Sequence, residues 1–230
     1  MGLFSKLTGK DRAESWKLLS EEMGAQFIDR GALKGGPKVV ATYKNWEIEM
    51  DMYSVQNQNS HGPGTNTGQG INIGRNANTT THYTRIVAPF VKKSDYSLNI
   101  HRESGFSKAL KIFGGKDIEI GNPEFDKNYR VKSNDEEQTI ALFMNEKFSN
   151  IVTGNIGNGL LEIEDIKGLF TKKDNVTMSR VSYTVVGEIL DHEWLKSLFM
   201  MVGVVLDQMV EIGKASEQSV SDLAYSHEDK

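Results

Sequence analysis

The strongest constraint on this chain lies near its C-terminal end. Leu195, Leu198, Val202, Val205, Met209 and Ile212 recur at alternating three- and four-residue spacing, which puts them on one stripe of a helix. Trp194, Phe199, Met201, Leu206 and Val210 widen that stripe to about half the circumference at ~100° per residue. A helix so broad on its apolar side needs a large cover, and a sheet face supplies one. Asp191 is placed to cap its start and Gly213 to stop it. Met200 and Val204 fall on the side that otherwise carries Lys196, Asp207 and Glu211. Two readings follow. Either they are incidental surface apolars, or the helix also packs on a partner chain. On the second reading Met200, Val204, Leu198, Val205 and Met201 form an association surface, and the chain binds a second copy or another protein. The pattern is too short for an independent coiled coil.

The first half is rich in strand signals. Residues 11–23 read as an amphipathic helix on Trp16, Leu19 and Met23, closed by Gly24. Residues 26–30, 38–43 and 46–55 read as strands, separated by Lys34-Gly35-Gly36-Pro37 and Lys44-Asn45. Trp46, Ile48, Met50 and Met52 alternate with Glu47, Glu49 and Asp51, the mark of an antiparallel strand wet on one face. Strand character returns over 79–91 and 96–102, which predicts a five-stranded meander followed by a short helix over 106–113. Residues 54–78 are dominated by Asn, Gln, Gly, Ser and Thr. That is far longer than an ordinary loop. It reads as a disordered insertion or as an element that orders on a partner, and it lacks an aromatic anchor.

In the second half, residues 129–132 read as a strand, and Ser133-Asn134-Asp135-Glu136 opens a helix predicted to run to Phe148. Gly157-Asn158-Gly159 predicts a hairpin between strands over 151–153 and 160–166. A long strand over 176–190 precedes the final helix, and 214–230 form a polar tail. The whole reads as α+β, with antiparallel meander sheets flanked by helices. Two units are drawn, 11–115 and 116–213, whose similar order admits a remote duplication and either two domains or one shared core.

Pro123-Glu124-Phe125-Asp126-Lys127-Asn128-Tyr129-Arg130-Val131-Lys132-Ser133-Asn134-Asp135 resembles a segment of an uncharacterised bacterial family. There a Phe-Asp…Tyr/Phe-x-Val-x-Ser-x-Asp run precedes a helix, a strand pair and a segment ending in Leu-Phe, matched here by Leu169-Phe170. The resemblance covers about residues 122–170 and implies a bacterial protein. Family members often carry membrane segments, and the resemblance brings no catalytic residues with it.

Composition excludes several function classes. The chain has no cysteine, so disulfides, thiolate nucleophiles and cysteine-ligated zinc are out, and a cytoplasmic, reducing setting is expected. With 27 basic against 31 acidic residues there is no basic footprint for nucleic acid. The most apolar run, 198–206, is far short of the ~20 residues that span a bilayer. Leu3, Phe4 and Leu7 with Lys6 and Lys10 offer at most a weak peripheral membrane contact. Gly68-Gln69-Gly70 and Gly114-Gly115-Lys116 lack the spacing and context of phosphate-binding loops. No cofactor or metal set is indicated.

One polar constellation remains. His82 and His101 could meet on neighbouring strands, with Glu47, Glu49 and Asp51 close by, as an acid/base or cation site. The bland alternative is a solvated acidic strand face neutralised by Arg85 or Lys92. The expectation is a non-enzymatic binding or scaffolding protein self-associating through the last helix. A ligand site at the histidines and a membrane-associated protein are the alternatives.

Overall fold

A computed structural model describes residues 9–31, 35–57, 79–103, 117–166 and 177–220. The expected N-terminal membrane contact, most of the Asn/Gly-rich loop, the helix over 106–113, Leu169-Phe170 and the end of the tail lie outside the described residues. The first helix, α1 (Gly9–Met23), leads into β1 (Gln26–Asp29), β2 (Pro37–Tyr43), β3 (Trp46–Asn57), β4 (Thr79–Val91) and β5 (Leu98–Arg102). Then come α2 (Pro123–Asn128), β6 (Tyr129–Ser133), α3 (Glu136–Met144), α4 (Glu146–Asn155), β7 (Leu160–Asp165), β8 (Met178–Val186) and α5 (His192–Glu211).

All strands join one antiparallel sheet in the order β1-β2-β3-β4-β8-β7-β5-β6. The first four form the expected meander. β5 does not continue it: it lies between β7 and β6, and β8 takes its place beside β4. The chain segments on either side of residue 115 therefore share one sheet. They also share one core, which unites Trp16, Ile48, Met50 and Ile86 with Leu161, Val181, Phe148 and Val202.

The period-two pattern explains why the layers form on one side. Trp46, Ile48, Met50 and Met52 are all buried. The strand register aligns them with Val39, Ile86, Ala88, Val181, Tyr183, Leu161, Ile163, Leu98 and Ile100 on the same face. Every described helix contributes to the core on that face. α5 meets the sheet at β3, β4 and β8, α1 covers β1 and β2, and α2 and α3 pack on β6. No described helix is long and apolar enough to cross a membrane.

Two local expectations fail for identifiable reasons. The helix predicted to reach Phe148 is broken at Asn145, whose extended backbone ends α3 while its side chain accepts from Phe148 N and caps α4. The β-branched pair Ile151-Val152 suggested a strand but lies inside α4, where Phe148, Val152 and Ile156 repeat at helical spacing and are fully buried. Gly157-Asn158-Gly159 is thus a helix-to-strand turn, not a hairpin. Gly157 needs its positive φ of 50°. Gly159 is required by contact, because a Cβ there would overlap the Tyr183 ring, which is buried and donates from its hydroxyl to Ile156 O at 3.0 Å. The tail also starts inside the fold: Ala215 is buried and Ser216 N donates to Val91 O at 2.9 Å.

Replacing Gly159 with Ala should destabilise the protein by roughly 2–3 kcal/mol through overpacking, lowering Tm by about 4–10 °C. Gly154→Ala, where a Cβ meets nothing within 4 Å, is the control expected to leave Tm unchanged or slightly raised.

Candidate functional site

With the helices on one side, the other face of the sheet carries no helix among the described residues. Its side chains come from the alternate positions of each strand. Asp51 and Tyr53 of β3 stand opposite Arg85 and Tyr83 of β4. Thr184, Ser182 and Arg180 of β8 stand opposite Leu160, Glu162 and Glu164 of β7. Asn99 and His101 of β5 complete the row beside Glu162 and Leu160.

At one end of this row the Asp51 carboxylate accepts two bonds from Arg85, at 3.0 and 2.9 Å. The same guanidinium lies 5.4 Å over the Tyr53 ring, and Tyr53 stacks on Tyr83 with centroids 5.2 Å apart. These rings and Leu160 make a small apolar cluster separate from the main core. The Tyr53 hydroxyl is hydrogen-bonded to Thr184, and burial pushes its ionisation up.

The centre of the row is polar and half sealed. Glu162 Oε1 accepts from Asn99 Nδ2 at 3.0 Å, and Asn99 Oδ1 accepts from His101 Nδ1 at 2.9 Å. Asn99 and His101 are only 1% and 4% exposed. Burial, then the neighbouring Glu164, raise Glu162 to about 7; the Asn99 bond and Arg180 act in the opposite direction. Burial, reinforced by Lys132, lowers His101. Near neutrality Glu162 can therefore either donate or accept a hydrogen bond at the face.

The predicted constellation does not assemble. His82 and His101 lie on opposite faces of the sheet, with β8 and β7 between their strands, a separation of about 14 Å at ordinary strand spacing. His82 Nδ1 pairs with Ser54 Oγ at 2.7 Å. Glu49 is held by Lys38 at 2.6 Å and Asp51 by Arg85, while Glu47 is exposed. The expected neutralisation by Arg85 is present; Lys92 instead holds Asp95 and Asp165 at 2.6 and 2.8 Å. The ligand site drawn at the two histidines is thereby withdrawn.

The association surface drawn on α5 also changes. Leu198, Met201, Val204 and Val205 are buried in their own chain, and of that set only Met200 is exposed, at 48%. Besides the sheet, α4 packs along α5 as a second wall. Gly203 lets the Tyr43 ring approach so closely that a Cβ would sit 2.8 Å from it. Tyr43 in turn donates to Asp207 at 2.9 Å, and Lys44 joins it at 2.6 Å. Lys44 and Asp207 line a groove of about 670 Å³ with Trp46 and Lys147. The unpartnered Trp46 indole nitrogen is itself sealed from solvent.

Together these features describe an α+β protein with its described helices on one side of the sheet and a largely polar row of side chains on the other, of which Asn99, His101, Ser182 and Thr184 are buried. No family model and no curated protein matches the chain. Among solved structures it is similar to the mycobacterial trehalose monomycolate transport factor A, TtfA, with 8% identity and a TM-score of 0.43 over 87% of this chain and 95% of that one. A likeness this slight does not bear on activity.

The raised Glu162 has a signed consequence for stability. Its folded ionisation lies above the unfolded value, so its contribution is complete below about pH 4.5 and is lost as pH rises through about 7. Glu162→Gln should therefore be more stable than the parent at pH 8, by about 1–2 kcal/mol after allowing for partial solvent exposure. The gap should close by pH 4.5 in paired urea titrations. On α5, Val204→Glu should cost more than about 3 kcal/mol by burying a charge, while Met200→Glu should stay within about 0.5 kcal/mol of the parent.

Proposed function

We propose that this chain is a non-enzymatic protein-binding module that presents the helix-free side of its sheet to a protein partner, in the bacterial cytoplasm. The observation that carries this reading is the apolar cluster outside the main core. Tyr53 packs on the buried Tyr83 and Leu160 on the side of the sheet that carries no described helix. Val55 and Val186 border them with 40% and 56% of their surface exposed. Val186 is brought beside Tyr83 by the Tyr83–Gly187 bridge. Exposed aliphatic side chains backed by a stacked tyrosine pair give rigid apolar contact area. The ion pair Arg85–Asp51 borders the patch, as a polar rim flanks a binding core. The cysteine-free sequence supports the reducing compartment, and the resemblance over residues 122–170 supports the bacterial source.

The reading moves the association surface from α5 to the sheet. In affinity capture from the native host, Val186→Glu should deplete the specific partner at least about tenfold. Met200→Glu should leave capture unchanged. Equal capture by all three proteins would overturn the sheet-face reading, and loss only with Met200→Glu would return the surface to the helices.

A further inference from the structure

β3 and β4 are longer than the sheet around them. β2 pairs with β3 only from Trp46 to Met50. β8 pairs with β4 from Thr84 to Val91, with one further bridge at Tyr83. The two strands nevertheless stay paired with each other as far as Asn57 and Thr79. Their distal part is a two-stranded ribbon that leaves the body of the sheet, and such ribbons are marginal unless something adds to them.

Among the described residues no strand covers the outer edge of this ribbon. Tyr43 and Trp46 close a two-residue turn as a directly opposed pair, which is the hydrogen-bonded kind. Even-numbered residues of β3 therefore point their backbone groups towards β2, and odd-numbered ones towards β4. Beyond Met50 no described strand continues the β2 side, so Ser54 and Gln56 direct N–H and C=O outward. Both side chains are exposed as well.

Natural sheets guard such edges with charges, prolines, short strands or a covering segment. The two end strands of this sheet follow that practice. β1 has four residues, and on the outer side of β6 Val131 O accepts from Ile118 N at 2.8 Å. The ribbon does not. From Met52 to Asn57 and from Thr79 to Thr84 the sequence contains no Lys, Arg, Asp, Glu or Pro.

We propose that the outer edge of β3 pairs antiparallel with the same edge of a second copy, joining two sheets across a two-fold axis at Val55. An antiparallel pairing of one segment with itself is self-complementary, the contact a two-fold dimer requires. In the register centred on Val55, Ser54 of each copy exchanges its N–H···O bonds with Gln56 of the other. The two Val55 side chains meet at the axis, and no like charges oppose one another. Val55 also borders the patch proposed for other partners, but this contact is made through the backbone edge of β3, and sedimentation of the chain alone tests it independently of that reading.

Sedimentation velocity on the full chain from about 5 to about 200 µM suits a contact of this small size. The expected result is a concentration-dependent dimer. Val55→Lys, which places two like charges at the axis, should weaken it at least about tenfold, with an unchanged circular dichroism spectrum. Gln56→Pro removes only an outward N–H and should act alike. Met200→Glu should not alter the dimer. A monomer at every concentration overturns the proposal, and so does a dimer that survives Val55→Lys or dissociates with Met200→Glu.

Discussion

The packing of α5 across β3, β4 and β8 holds the two stretches of chain together, because those strands come from both. The buried side chains Leu195, Leu198, Phe199, Met201, Val202, Val204, Val205, Leu206 and Met209 together represent on the order of 20 kcal/mol of transfer free energy. That is an upper figure, since the unfolded chain is already partly collapsed. It still exceeds the ~5–15 kcal/mol net stability of a typical domain, so neither stretch would hold this layer without the other. Asp191 fixes where the helix begins, accepting from Trp194 N at 3.0 Å, and Gly203 fixes how near it approaches Tyr43.

Packing of the described helices on one side shapes the other face. The strands turn most of their large apolar positions to the helices, and the alternate positions carry mainly charge, hydroxyls and amides, with Tyr53, Tyr83 and Leu160 as an apolar exception. β3 obeys this rule most visibly, and it was legible from Trp46 to Met52 without any structure. The stripe on α5 and its cap were legible for the same reason: both are local periodicities. What the periodicity could not reveal was the second wall. Met200 and Val204 look equivalent on a helical wheel, yet one is exposed and the other 1% exposed, and α5 packs on α4 and α1 as well as on the sheet.

Strand order and facing were illegible for a different physical reason. β5 follows β4 in sequence but pairs with β6 and β7, a choice made by long-range packing that no local pattern encodes. The supposed meeting of His82 and His101 depended on that order and on which face each residue takes. Within α4, the pair Ile151-Val152 has β propensity, but the buried triplet Phe148, Val152 and Ile156 overrides it. Glu162 was visible only as part of an acidic strand. Its unusual environment comes from the neighbours supplied by β5 and β8, which lie far away in the sequence.

Those neighbours explain why the open face is uneven in electrostatic terms. The register puts Arg85 directly opposite Asp51 and Arg180 directly opposite Glu164, so each of these carboxylates is neutralised within the sheet. Glu162 receives Ser182 on one side and Asn99 on the other. Both are neutral, and Asn99 is already committed to His101. A carboxyl half removed from water with only neutral partners keeps its proton to higher pH than its neighbours. Ion pairs on the surrounding face are satisfied before any partner arrives and add little to its binding. Within the row, Glu162 is the carboxyl that faces a neutral residue, Ser182, where Asp51 and Glu164 face arginines.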